Sequence, residues 1–241
     1  MTESIAERKL KFALRLFELG AVKFGDFDLK LHEHHPDAPL SPFFLNLRSK
    51  DNQKSGELGV NEYLQAAELM FRIGVRERGL VNFTHIAGIP NAGDPFAQVF
   101  HCVACEADQT HYELLRLSKV SLPDGKRRIG KAIGGSDEYT STDRVLLIDD
   151  LITMAHTKLE AIKSIMDLGV NIAGLIVLVD REQGGAKQIA DAGYDFVSVY
   201  TLTELLGIYV DKGLINDARR ARCLGYQEEL NAYFADKAQT G

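Results

Sequence analysis

The chain of 241 residues has no tryptophan, 3 cysteines and 6 prolines. Three cysteines cannot form a disulfide framework, so the expected compartment is the reducing cytosol. No apolar run reaches the roughly 20 residues that span a bilayer, and residues 1–11 lack the basic, apolar and small-residue layout of a secretory signal. Basic residues are also in deficit. Lys and Arg number 28 against 34 Asp and Glu, a net charge of −6, which argues against a broad nucleic-acid footprint. A local basic site could still take a small anion, since its field need not share the sign of the whole chain. Repeats, low-complexity tracts and Pro/Gly-rich linkers are missing too. What remains, 45% hydrophobic and 26% charged, is ordinary globular composition, long enough for a sizeable core.

Apolar periodicity then gives the elements. Residues 5–19 have helical spacing through Leu10, Ala13, Leu14 and Phe17, and residues 22–30 alternate as a strand. A polar loop carries His32, His34 and His35, read as solvated imidazoles, before a strand over 41–48. From residue 57 helices and strands alternate. Helices are expected over 57–79, 95–107, 157–168 and 186–192, and strands over 85–89, 113–117, 144–150, 172–180 and 196–200. Two helices close the chain, over 202–212 and 217–237. Leu159, Ile162, Ile165 and Met166 mark one helix face, and Cys102 and Cys105 read as buried thiols. Near-continuous apolar strands alternating with helices predict an α/β fold with a parallel sheet flanked by helices. Ligands gather at the carboxyl ends of such strands. The charged, glycine-bearing segment 118–143 reads as a structureless active-site lid.

The run Val145-Leu146-Leu147-Ile148-Asp149-Asp150-Leu151-Ile152-Thr153-Met154-Ala155-His156-Thr157 is the most informative. An apolar strand delivers two carboxylates to its end, and a short turn opens a helix whose amides and dipole attract phosphate. Carboxylates beside that cradle can accept vicinal hydroxyls or approach a phosphate-bound Mg²⁺. A blander role is also open: Asp150 ends a strand and Thr157 caps a helix.

This run resembles the phosphoribosyl pyrophosphate (PRPP) motif of type I phosphoribosyltransferases. The hood-like stretches Ala21–Lys30 and Ser41–Asn46, the run Asp180-Arg181-Glu182-Gln183-Gly184-Gly185, and Ala87-Gly88-Ile89-Pro90 with Gly93 and Pro95 are similar to the orotate phosphoribosyltransferases. The resemblance covers roughly residues 16–206. It implies a hood subdomain with an N-terminal helix over 1–56, a phosphoribosyltransferase core over 57–206 and a helical extension over 207–241. It also implies transfer of ribose 5-phosphate from PRPP to orotate, giving orotidine 5′-monophosphate, with Mg²⁺ held mainly through PRPP, no dedicated protein metal site, and a homodimer. By the same resemblance Arg116, Asp149, Asp150, Thr153, Ala155, His156 and Thr157 would bind PRPP. Lys30, Arg181 and the backbone around Phe44 and Leu45 would read the base. Asp149, Asp150, Lys119 and Lys126 would be the catalytic set.

The sequence departs from that pattern in places. Met154 and Ala155 stand where Thr and Gly are usual, residues 32–40 form an insertion, Asn91, Ala92 and Asp94 stand where a lysine is usual, and the mobile loop keeps only Asp124 and Gly125 of its Lys, Asp, His and Gly. Lys119, Lys126, Arg127 and Arg128 are the available substitute charges. These departures leave two alternatives open: a transferase for another base, or a PRPP-binding regulatory protein with little turnover.

Overall fold

The computed structural model describes residues 3–52, 54–121, 127–129, 139–140 and 142–240, without the side chains of residues 30, 31, 121, 127, 128 and 238–240. Two compact units result, one of residues 1–9 with 59–202, the other of residues 10–58 with 203–241. Helix α1 (Ile5–Glu18) contains the first boundary and buries Phe12, Ala13 and Leu16, the i, i+1, i+4 face of an amphipathic helix. In the second unit β1 (Val22–Phe27) pairs antiparallel with β2 (Ser41–Leu45). The insertion between them is held by its own histidine. His32 is buried; its Nδ1 accepts the Leu29 N–H at 2.8 Å and its Nε2 lies 3.3 Å from the Pro39 carbonyl oxygen. The expectation of solvated imidazoles is therefore corrected for His32, because its two ring nitrogens satisfy backbone groups at both ends of the insertion.

The first unit carries the parallel sheet. Helix α2 (Val60–Met70) continues as a π-helical stretch over Phe71–Glu77. Then come β3 (His85–Gly88), α3 (Gly93–Asp108), β4 (Glu113–Leu115), an antiparallel pair of β5 (Lys119–Ser121) and β6 (Arg127–Ile129), β7 (Arg144–Ile152), α4 (His156–Met166), β8 (Asn171–Asp180), α5 (Gly185–Asp191) and β9 (Phe196–Thr201). The strand order is β4-β3-β7-β8-β9, every pairing parallel. Val145 to Ile148 and Leu175 to Val179 have essentially no exposed surface. Both faces of the sheet are covered, which is why these strands read as unbroken apolar runs instead of alternating ones.

Three sequence expectations change here. The segment expected to be structureless contains the β5–β6 pair, with Lys119 opposite Ile129, and Ile129 is drawn into the apolar cluster under α4. Cys102 is exposed and Cys105 only half-buried, because α3 turns Phe96, Ala97, Phe100 and Ala104 inward and the cysteines fall off that face. On α4 the buried residues are Lys158, Ala161, Ile162 and Ile165, while Met166 is 48% exposed.

Helices α6 (Leu202–Asp211) and α7 (Asp217–Thr240) complete the second unit. Tyr209 donates its hydroxyl to the Ala13 carbonyl at 3.0 Å with its ring against Phe17 and Phe24. Tyr226 meets Phe43 of β2 edge to face. Among the described residues no helix is long and apolar enough to cross a membrane.

Candidate active site

From β3 the chain goes on to β4 on one side, and from β7 to β8 on the other side, toward the opposite edge of the sheet. The order thus reverses between neighbours β3 and β7, and in open parallel sheets a ligand crevice forms outside the carboxyl ends of such a pair. The segments following Gly88 and Ile152 are the crevice walls.

On the β7 side, Asp149 and Asp150 are 3% and 5% exposed. Asp149 Oδ1 accepts the Asp150 N–H at 2.9 Å, and Asp150 Oδ1 accepts the Leu151 N–H at 2.8 Å. A buried carboxylate also needs a counter-charge. For Asp149 it is Lys158, whose Nζ lies 2.6 Å from Oδ2. Lys158 stands in the first turn of α4, and helical side chains lean toward the N-terminus, so the ammonium reaches back to the strand end.

On the β3 side the Ile89 N–H donates to the Ile148 carbonyl at 3.0 Å, and the Gly93 N–H to the Ile89 carbonyl at 2.9 Å. The Pro90–Asn91 peptide is cis. Gly93 is required by close approach, since a Cβ there would stand 2.6 Å from the Ile148 carbonyl oxygen and 2.8 Å from Asp149 Oδ1. Beyond it an open cavity of about 150 Å³ is lined by Gly88, Asp94, Gln98 and Arg116, among others. Burial, and next the charge of Asp149, push the Asp94 carboxyl from 3.8 up to about 6, against the pull of Lys119 and Arg116. A carboxyl and a guanidinium therefore share this cavity.

The loop from Thr153 to Ala155 leads into α4. Ala155 lies at φ −88° and ψ 0°, the bridge region that L-residues adopt at turns. The departure from Gly is thus accommodated: no positive φ is needed, and the methyl packs in the apolar cluster with Ile152, Ile162 and Ile189. The Ala155 N–H donates to Gln188 Oε1 at 2.8 Å. Two backbone bonds run alongside, from the Gly185 N–H to the Thr153 carbonyl and from the Arg181 N–H to the Ile152 carbonyl, both 3.0 Å. Gly184, at φ +95°, supplies the left-handed turn that starts α5. The strand runs to Ile152 instead of ending at Asp150, and Thr157 lies inside α4, so it does not cap that helix. Thr153 and Thr157 are half-buried and His156 is exposed at the helix start. First-turn amides have no intrahelical acceptor, so this end of α4 is suited to an anion.

No protein-family model matches the chain. It is 30% identical to the orotate phosphoribosyltransferase of Pyrobaculum islandicum over 87% of this chain and 98% of the relative. To the enzyme of that name from Pyrobaculum aerophilum it is 31% identical, over 80% of this chain and 86% of the relative. The chain belongs to the orotate phosphoribosyltransferase family. The solved UMP synthase of Leishmania donovani matches with a TM-score of 0.66 and 25% identity, over 92% of this chain and 42% of that one. The fold is that of the type I phosphoribosyltransferases, as the sequence resemblance implied.

For an orotate phosphoribosyltransferase, the residues chosen from sequence are distributed as follows. Asp149, Asp150, Thr153, Ala155, His156 and Thr157 share one strand–loop–helix connection. Arg116 opens on the cavity beside Asp94, and Lys119, exposed on β5, acts on the same carboxyl. Arg181 is half-buried just after β8. Phe44, half-buried, and Leu45, buried, belong to the second unit, on β2. Lys30 starts the short 3-10 turn Lys30–Glu33 of that unit, its side chain outside the description, and Lys126 lies outside the described residues. Sequence reasoning missed Lys158, Asp94 and Gln188. Lys158 had a signal: with Ala161, Ile162 and Ile165 it occupies the i, i+3, i+4, i+7 stripe of α4, where a charge is out of place. Asp94 stood in the quoted loop but was read only as the absence of a lysine. Gln188 had no signal, since its partner is a backbone N–H of another connection.

Proposed function

We propose that the chain transfers ribose 5-phosphate from PRPP to orotate, forming orotidine 5′-monophosphate and pyrophosphate. The carrying observation is the buried acid pair at the β3/β7 crevice, next to the open N-terminus of α4, in a member of this family. In this reading the α4 amides with Thr153, Ala155, His156 and Thr157 hold the 5′-phosphate, and Asp149 and Asp150 accept the ribose hydroxyls. Arg116 and Lys119 face the pyrophosphate, and Lys30, Arg181 and the backbone near Phe44 and Leu45 bind orotate. A guanidinium fork suits the orotate carboxylate. The bond from ribose C1 to the pyrophosphate oxygen breaks and one from C1 to the base nitrogen forms. Positioning, with stabilisation of the departing oxyanion by cations, supplies most of the rate.

Mg²⁺ would neutralise pyrophosphate charge as that group leaves. Among the described residues no cluster of three or more His, Cys, Asp or Glu could hold a metal ion. Both Asp149 oxygens already have partners. That donor set fits an ion arriving on PRPP oxygens better than a protein cage. By family we also place the chain in a homodimer and in the cytoplasm.

A second reading, PRPP binding without turnover, is favoured by one observation: a carboxyl, Asp94, lines the cavity assigned to pyrophosphate. One assay separates the two. PRPP- and Mg²⁺-dependent consumption of orotate with release of pyrophosphate is the expected result. Tight PRPP binding with no transfer to orotate or any other base would establish the second reading.

A further inference from the structure

The buried Lys158–Asp149 pair has no counterpart in the site roles assigned above. Lysine is among the residues least often fully buried, yet Lys158 is 8% exposed on a stripe otherwise filled by Ala161, Ile162 and Ile165. An aliphatic side chain would fill such a position without desolvation cost, and a buried ion pair is poor evidence of a stability device. The geometry gives it another use. Lys158 Nζ holds Asp149 Oδ2 at 2.6 Å while the Asp150 N–H holds Oδ1 at 2.9 Å. With both oxygens fixed, the carboxylate cannot rotate about its terminal bond. Gly93 approaches the same group from the β3 side so closely that a Cβ there would stand 2.8 Å from Oδ1. Two further carboxyls stand close by: Asp150 is adjacent, and Asp94 is near enough for the charge of Asp149 to raise its pKa. Within this group Lys158 is the ammonium paired with Asp149.

We infer that Lys158 is a positioning residue for PRPP: it fixes Asp149 in the orientation that receives the ribose hydroxyls. This rests on the PRPP site proposed above. Lys158 acts through Asp149, so its contribution should exist only while Asp149 does.

Calorimetric titration of PRPP with Mg²⁺ into wild type, K158M, K158R, D149N and the D149N/K158M double variant tests it, with Tm recorded for each. K158M is expected to weaken PRPP at least about tenfold, the worth of one well-placed charged contact. K158R keeps a charge on the stripe and should recover part of the loss. In the D149N background, K158M should cause no further weakening, the non-additivity expected of coupled neighbours. Should K158M fail to fold, K158R against wild type, and the double variant against D149N, carry the same comparison. A folded K158M with wild-type PRPP affinity would overturn the inference and leave the site reading intact. An equal loss from K158M with and without Asp149 would also overturn it, because Lys158 would then act independently. Wild type that does not bind PRPP would overturn the site reading itself and this inference with it.

Discussion

Asp94 is the residue at which this chain's chemistry differs most from a simple cationic pocket. Its carboxyl, half-buried in the cavity with Arg116, is raised from 3.8 to about 6 by burial and by the charge of Asp149. The sign follows. A raised folded-state pKa means the proton is held more tightly in the native protein. The stability it brings is complete below pH 3.8 and is lost as pH rises through about 6. The same charge opposes an anionic ligand above that pH. Asp94→Asn should therefore tighten pyrophosphate binding at pH 8 by about fivefold, roughly 1 kcal/mol for one like charge in a partly solvated site. Near pH 5 variant and wild type should converge. Titration calorimetry at both pH values checks this; an affinity ratio independent of pH would show that the Asp94 charge is not what the ligand senses.

Among the elements, the connections after β7 and β8 behave as one piece. The Arg181 and Gly185 amides reach the β7–α4 connection, and Gln188 of α5 accepts the Ala155 N–H from it. Ala155 is wholly buried, so removing that acceptor strands an amide away from water. Gln188→Ala should cost about 1–3 kcal/mol, lowering Tm by roughly 3–10 °C for a chain of this size. Gln188→Glu keeps an acceptor oxygen and should retain most of the Tm, while adding a negative charge beside the phosphate loop and weakening PRPP. Differential scanning calorimetry of the pair is the check, and a Q188A melting curve superimposable on wild type would remove Gln188 from this account. The β7–α4 connection itself was legible from sequence, because an apolar strand, two acids and a helix start are local patterns. Its tie to α5 joins residues 33 positions apart and leaves no trace in either segment's periodicity.

On the scale of the whole molecule, binding a polyanion with a chain of net charge −6 must rely on local geometry. The base side of the proposed reaction tests this most directly, with Arg181 as the cation directly after β8. Arg181→Ala should raise KM for orotate by about tenfold or more, the value of a lost charge-assisted contact, with a smaller effect on KM for PRPP. Steady-state kinetics with each substrate varied in turn reads both. A larger effect on PRPP than on orotate would move Arg181 to the phosphate side of the site.

The amino-acid sequence by itself determined the α/β class, the alternation of strands and helices along the parallel sheet, and the acid pair with its phosphate-suited helix, because each rests on periodicity or on neighbours within a few residues. It also carried the family resemblance, through runs such as Asp180–Gly185. The tertiary structure decided the strand order β4-β3-β7-β8-β9, and with it the β3/β7 crevice. It decided that Ala155 fits where glycine is usual, since only the backbone angles reveal that no positive φ is needed. It decided that His32 braces the insertion, through bonds to Leu29 and Pro39. And it decided the partner of Asp149. Lys158 becomes a counter-charge only when α4 packs on the sheet and its first turn is carried to the end of β7, a contact fixed by burial of the Ala161, Ile162 and Ile165 stripe and not by any local preference of lysine.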